Sequence, residues 1–161
     1  MPVQIFIPLK KQDVVDEIIP YLNVLARPGS QVVFLAAYKE EVSWMEVQMT
    51  AMQTGITSMA GLKTLAANAS RQAQLRSLEK RIDAMRKALT NAGLTVTVEA
   101  YTGSVRNAVA SLRDTETEMI VILTCPYKIV GRLFARVEKL LNRFRNADST
   151  PLLVLRPHRQ H

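Results

Sequence analysis

The chain has 161 residues, 48% of them apolar and 22% charged, which is ordinary for one globular domain that buries its own core. Its net charge of +7 favours anionic partners without choosing among nucleotides, nucleic acid and acidic proteins. A single cysteine excludes an internal disulfide, no apolar run reaches membrane-spanning length and the first residues lack a signal-peptide pattern, so we expect a cytoplasmic protein with no membrane association.

The first quarter of the chain predicts two strands with a helix between them. The two expected strands are Val3–Leu9 and Gln31–Ala37. Both are apolar at almost every position, which is typical of strands that are buried on both faces of a parallel sheet. Between them we expect Asp13 to cap a helix whose apolar residues recur at helical spacing as far as Leu25. Pro20 falls inside that helix and is expected to kink it.

The segment at about 41–70 interrupts the alternation of strands and helices. It carries no charge from Val47 to Leu62. Its simplest interpretation is one or two short helices over the core, in which methionines fill irregular gaps. The alternative is an adaptable apolar surface for a partner, or a lid over a ligand crevice. The candidate partner surface consists of Trp44, Met45, Met49 and Met52. A membrane-surface helix is disfavoured, because such helices carry a basic polar face.

The remainder predicts further strands separated by helices. The longest predicted helix runs from Arg71 to Asn91, and a strand at 94–100, a turn at Gly103 and Ser104 and a helix at 105–112 follow it. The apolar stripe of the long helix is Leu75, Leu78, Ile82, Met85 and Leu89. A fourth strand at 119–124, a loop at 125–131, an amphipathic helix at about 132–146 and a strand at 152–155 complete the chain. This order predicts an α/β fold with a parallel sheet and helices on both faces.

The loops after the first and fourth strands are expected to form a ligand crevice, because open parallel sheets bind ligands at the carboxyl ends of their strands. The candidate crevice residues are Lys10, Lys11, Thr124, Cys125, Tyr127, Lys128 and Gly131. Three of these are lysines, which are able to attract a small anion or a nucleotide through their side chains alone.

The sequence shows no catalytic constellation, metal site or cofactor motif. His158 and His161 lie in the tail after the last strand, where a general base is hard to hold in place. Cys125 has no histidine near it in the body of the chain, which favours a structural thiol. Metal-ligand spacing and both glycine-rich phosphate-binding patterns are absent. We therefore expect no catalytic residue, no metal and no cofactor.

The helix at about 132–146 carries a stripe of cations beside its apolar face. The stripe consists of Arg132, Arg136, Lys139 and Arg143, at spacings of four, three and four residues. Its simplest interpretation is a solvated face. The alternative is a surface for phosphates or for an acidic partner, although the absence of interleaved aromatic residues disfavours stacking on single-stranded nucleic acid.

Four stretches, and the order of the elements outside 41–70, resemble the universal stress protein family. The stretches are Ile5-Phe6-Ile7-Pro8-Leu9, Gly103-Ser104-Val105, Glu118-Met119-Ile120-Val121-Ile122 and Thr150-Pro151-Leu152-Leu153-Val154-Leu155-Arg156. The resemblance implies one domain over residues 1–161, into which the segment at 41–70 is inserted. It implies a three-layer α/β fold of the flavodoxin-like, or adenine nucleotide alpha hydrolase-like, kind, with five parallel strands in the order 3-2-1-4-5. It also implies a homodimer paired through the last strand, whose residues are Leu152, Leu153, Val154 and Leu155.

Many members of this family bind ATP through an acidic residue after strand one and a loop spaced G-x2-G-x9-G-[ST] after strand four. In this chain the glycine positions fall on Cys125, Lys128 and Glu138, the Ser/Thr position on Lys139 and the acidic position on Lys10. Gly131 is out of register. Glycine is needed where bare backbone must approach phosphate, so the chain resembles the branch of the family that does not hold ATP.

The leading functional interpretation is a non-catalytic, stress-protein-like dimer that acts through protein–protein contacts in stress response or signalling. The first alternative is a switch that binds a nucleotide or small anion at the crevice. Such a switch could also hydrolyse ATP slowly. The second alternative is a charge-driven nucleic-acid binder, whose affinity would fall steeply with added salt.

Overall fold

The computed structural model describes residues 2–10, 13, 15–39, 43–113, 117–124 and 152–155. The elements in chain order are β1 (Val3–Leu9), a single 3-10 turn (Val15–Glu17), α1 (Ile19–Leu25), β2 (Gln31–Ala37), α2 (Trp44–Thr54), α3 (Met59–Asn91), β3 (Thr95–Tyr101), α4 (Val105–Leu112), β4 (Glu118–Thr124) and β5 (Leu152–Leu155). The expected amphipathic helix at 132–146 lies outside the described residues.

The strands form a parallel sheet in which β1 lies between β2 and β4, and β3 lies beyond β2. The backbone of the short strand β5 pairs in parallel with β4. The α/β class, the parallel sheet and the order 3-2-1-4 of the first four strands are therefore confirmed. The order reverses direction between β1 and β4, so the gap between their carboxyl ends is the topological switch point of the sheet.

The strands β1 and β2 are buried on both faces of the sheet, which is why they are apolar at almost every position. On one face, Ile5 and Ile7 belong to a core cluster that includes residues of α1 and α3. On the other, Phe6 and Val33 pack with Val109 of α4. Of the predicted apolar stripe of α3, Leu78, Ile82, Met85 and Leu89 are buried in the first cluster, whereas Leu75 is half-buried and does not belong to it.

The first helix differs from its prediction. A 3-10 turn precedes α1, whose N-cap is Ile18 and which has Pro20 in its first turn. Proline is tolerated there because the first amide groups of a helix lack an intrahelical partner, so the expected kink inside the helix is wrong. Because the N-cap of α1 is Ile18, the predicted role of Asp13 as the cap of this helix is wrong as well. Asp13 instead accepts a hydrogen bond from the Lys10 N–H.

Within the segment at 41–70, residues 44–54 form α2 and residues 59–70 form the first part of the long helix α3. α3 begins at Met59, twelve residues before the predicted start at Arg71, and Ser58 accepts a hydrogen bond from the Gly61 N–H at its N-terminus. The 33 residues of α3 give it a length of about 50 Å, against about 23 Å for a seven-residue strand. α3 is thus far longer than the sheet against which its second half packs.

Candidate functional site

The loop after β1 begins at the switch point and is held in a tight turn. The Lys10 N–H donates to Asp13 Oδ2 at 2.8 Å, and the Asp13 N–H donates to the Lys10 carbonyl at 3.2 Å. The Lys10 side chain is exposed. The turn therefore fixes the backbone at the carboxyl end of β1 and leaves one cation free to face a ligand.

Arg81 of α3 stabilises this turn with side-chain hydrogen bonds to its backbone. Its Nη2 donates to the Lys10 carbonyl at 2.9 Å and to the Asp13 carbonyl at 2.6 Å. A charged donor shared by two carbonyls is stronger than a neutral hydrogen bond. The bonds join α3 to a loop about 70 residues away in sequence, and they mark residue 81 as level with the carboxyl edge of the sheet.

The carboxyl ends of β2 and β3 are joined by a bond from the Tyr38 N–H to the Tyr101 carbonyl, at 2.9 Å. Tyr101 is half-buried and packs against the second core cluster. Burial raises the pKa of the Tyr101 phenol above its ordinary value, since the phenolate would lose its solvation there. This side of the edge thus presents a neutral phenol.

Most of the predicted crevice lies outside the described residues. Of its candidates, the structure places Lys10, and it places Thr124 at the end of β4 beside the end of β1. Lys11, Cys125, Tyr127, Lys128 and Gly131 fall outside the described residues, as do the basic-surface candidates Arg132, Arg136, Lys139 and Arg143. For the predicted dimer strand, only the backbone pairing of Leu152–Leu155 with β4 is described.

A second feature, which we call the arm, consists of α2, the connecting residues 55–58 and residues 59–77 of α3. The core contacts of α3 begin at Leu78, and α3 ends beside the start of β3. It therefore runs antiparallel to the strands, and residues 59–77 extend for about 28 Å ahead of its contact with the core, past the carboxyl edge. α2 packs against this part of α3.

The arm has a narrow inner seam. Val47, Leu62 and Ala66 are buried but belong to neither core cluster. Leu62 and Leu78 are 16 residues apart, or about 160° around the helix. α3 therefore turns one face to the sheet in its second half and a nearly opposite face to α2 in the arm.

The outer side of the arm is apolar and exposed. Among the described residues, nine large apolar side chains are exposed, and seven of them lie on the arm. These seven are Trp44, Met45, Met49, Met52, Ile56, Met59 and Leu65. The interpretation in which methionines fill gaps in the core is wrong for the four methionines among them; Met85 alone among the methionines of α2 and α3 joins a core cluster.

The start of α2 is fixed by a reciprocal cap. Ser43 Oγ accepts from the Glu46 N–H at 3.3 Å, and Glu46 Oε2 accepts from the Ser43 N–H at 2.7 Å and from Ser43 Oγ at 2.9 Å. These bonds stabilise the carboxylate and hold the pKa of Glu46 below its ordinary value. The N-terminus of α2, beside the exposed Trp44 and Met45, is therefore held in a defined helical geometry.

Sequence reasoning missed Arg81 and the outer residues Ile56, Met59 and Leu65. Arg81 directly precedes the core residue Ile82, so it lies at the border of the apolar stripe and not on the opposite, solvated side. That border position was the available signal. The exposure of Ile56, Met59 and Leu65 could be recognised only once α2 and α3 were known to form one hairpin.

Metal-binding clusters and membrane-spanning helices are both absent from the described residues. Within them, His, Cys, Asp and Glu side chains form no group of three able to hold a metal ion. No helix among them combines the length and apolarity needed to cross a membrane.

Comparison with solved structures shows the fold and no more. The chain superimposes on the hypothetical protein MJ0577 with a TM-score of 0.57 and 14% sequence identity, over 99% of each chain. It is also similar to the hypothetical protein PH0823, with a TM-score of 0.46 and 12% identity, over 99% of this chain and 100% of that one. No family model and no curated protein matches the sequence.

Proposed function

We propose that this chain is a non-catalytic, universal-stress-protein-like protein that acts through protein–protein contacts made by the arm, in stress response or signalling. The observation that carries the proposal is that, of the nine large apolar side chains exposed in the described part of the chain, seven lie on one projecting hairpin. A soluble domain rarely keeps such a patch exposed unless it is an interaction site. Methionine suits this role, since its flexible thioether adapts to different partner surfaces.

The family assignment within this proposal rests on the sequence resemblance together with the shared fold. It includes the complete three-layer arrangement with five strands in the order 3-2-1-4-5, one domain over residues 1–161, and a homodimer paired through Leu152–Leu155. The short β5 that pairs with β4 supports the fifth position.

The proposal also includes the absence of ATP binding by the family's usual loop. Its basis is steric: Cys125, Lys128 and Glu138 stand where that loop has glycines, and Lys10 stands where it has an acid. A side chain at these positions keeps the backbone amides away from phosphate.

Mass spectrometry of protein purified under mild conditions tests these points together. We expect no adenine nucleotide in the sample and an assembly of two or more chains. Bound adenine nucleotide would overturn the steric argument, and a single chain at micromolar concentration would overturn the dimer.

A small-anion switch at the crevice is the second candidate function. The observation in its favour is that Arg81 fixes the turn after β1 while the Lys10 side chain stays exposed at the switch point. In this function Lys10, Lys11 and Lys128 attract the anion. Calorimetry with phosphate, ADP, ATP and cyclic nucleotides tests this function. Lys10→Gln should remove the heat of binding that the wild type shows. Lys87→Gln is the control, because Lys87 is exposed near the C-terminus of α3, and it should leave that heat unchanged. No heat with the wild-type protein contradicts it.

A further inference from the structure

The outer face of α2 is apolar although it points away from the molecule. Met45, Met49 and Met52 are spaced by four and three residues and form one stripe, with Met52 85% exposed. Met49 is two residues from the buried Val47, or about 200° around the helix. α2 is thus apolar on two opposite sides, which is typical of a helix that is buried on both. Val47 buries one side, and another molecule is needed to bury the other.

Charge narrows the choice of that molecule. Residues 43–70, which include all seven exposed apolar side chains, contain one acid, Glu46, and one base, Lys63. This part of the arm is therefore neutral although the whole chain carries +7, and Arg71 and Arg76 lie beyond it. An acidic peptide would find a single cation there, and a membrane surface would find no basic polar face. A second copy of the chain would place this neutral, apolar part of the arm against an equal one and leave the excess cations outside the contact. Self-association at residues 43–70 therefore avoids placing like charges opposite each other, as a contact elsewhere on a chain of this net charge would tend to do.

The stripe is also complementary to itself. An interface with two-fold symmetry brings the same surface patch of both copies together. If two α2 helices run antiparallel with Met49 at the symmetry axis, Met52 of each copy lies opposite Met45 of the other, because the two are about 4.5 Å and 6 Å from Met49 along the helix. Trp44 lies beside the stripe, where a large exposed aromatic ring is a typical anchor for an interface.

We propose that the arm pairs with the arm of a second copy, with the two α2 helices antiparallel about Met49. The two hairpins together form a four-helix unit, the smallest arrangement in which both sides of α2 are covered by helices. This inference rests on the proposed function in that both treat the arm as a protein-contact surface, and it identifies the partner as the same chain. The contact is separate from the proposed pairing through Leu152–Leu155.

The test is the molar mass of full-length variants by size-exclusion chromatography with light scattering. Met52→Glu places a charge in the stripe and should halve the mass of the wild-type assembly. Val24→Glu is the matched control, because Val24 on α1 is 84% exposed and lies away from the arm. It should leave the mass unchanged. Circular dichroism on both variants establishes that they fold like the wild type.

A second pair of substitutions tests the antiparallel geometry. Met45→Lys alone should also halve the mass. The double variant Met45→Lys, Met52→Glu should recover the wild-type mass, since each glutamate would then face a lysine of the other copy and the two-fold axis would repeat this pair once. Failure of the double variant to associate would overturn the antiparallel arrangement.

The outcomes separate this inference from the proposed function. Equal masses of at least two chains for wild type and Met52→Glu would overturn pairing through the arm and keep the proposed dimer. Equal masses of one chain would overturn both. A wild-type mass twice that of Met52→Glu supports pairing through the arm, and a Met52→Glu dimer would in addition support the interface at the last strand.

Discussion

Arg81 is the residue whose role the fold reveals most clearly. A helical pattern assigns cations beside an apolar stripe to solvent, and nothing local in the sequence indicates that the carbonyls of Lys10 and Asp13 accept from this guanidinium. The partners are brought together only when α3 packs under the sheet. Contacts of this range are what a single sequence does not predict.

Replacing Arg81 should loosen the turn after β1. Arg81→Gln removes a charged donor from two carbonyls, and we expect it to lower the free energy of unfolding by about 1–3 kcal/mol in urea denaturation. Lys80→Gln, a neighbouring exposed position, should change it by less than about 0.5 kcal/mol. Hydrogen exchange at the Asp13 amide should accelerate in the first variant only; equal exchange in both would contradict the anchoring role.

The Ser43–Glu46 cap makes the start of α2 sensitive to acid. The pKa of Glu46 is lowered on folding, so the unfolded chain takes up the proton more readily. The stabilisation is complete above the unfolded-state pKa and is lost as the pH falls through the folded-state pKa. Trp44, the only tryptophan, is the first residue of α2 and reports on this region by fluorescence.

We therefore expect the Trp44 fluorescence of the wild type to change on acidification below neutral pH. Glu46→Gln keeps the shape of the side chain and removes its titration, so its Trp44 signal should change less over the same range. A wild-type signal that follows the same pH curve as the variant would show that the cap does not control the start of α2.

At the scale of elements, the long helix shows how far pattern reading reaches. The second half of α3 was predicted because its apolar residues recur at helical spacing and are buried against the sheet. Its first half has little charge, a glycine at 61 and only Leu62 and Ala66 buried, so its start at Met59 was not predicted. Its helical state follows from the Ser58 cap and from packing against α2.

Two glycines at the ends of α3 should respond to alanine in opposite directions. Gly61 lies in the first turn, and an added Cβ would have its nearest neighbour, Ile56 Cγ2, at 3.5 Å. Gly61→Ala should therefore stabilise the arm by up to about 0.5–1 kcal/mol. Gly93 has φ +79°, and an added Cβ would lie 3.3 Å from Pro28 Cβ. Gly93→Ala should cost roughly 1–2 kcal/mol.

Hydrogen exchange of the α2 amides measures the first substitution, and urea denaturation measures the second. Destabilisation by Gly61→Ala would show that the first turn of α3 is not helical in solution. If Gly93→Ala left the free energy of unfolding unchanged, this would contradict the left-handed turn that joins α3 to β3.

At the scale of the whole molecule, the sheet was predictable, whereas only Trp44, Met45, Met49 and Met52 of the outer face of the arm were, and only as an alternative interpretation. Strands buried on both faces and separated by helices restrict the fold to a parallel α/β sheet, and the order 3-2-1-4 followed from the family resemblance. The outer face of the arm is different, because an exposed methionine and a buried one look the same in sequence. Exposure became visible only when Val47, Leu62 and Ala66 were found to form the inner seam.

The account makes the arm the surface through which this protein acts, and hydrogen exchange at two protein concentrations tests that claim most directly. Between submicromolar and tens of micromolar protein, we predict that the amides of α2, Trp44–Thr54, become slower to exchange as copies associate. The amides of α4, Val105–Leu112, should exchange at the same rate throughout. Exchange in α2 that does not depend on concentration, while the protein as a whole associates, would contradict the account.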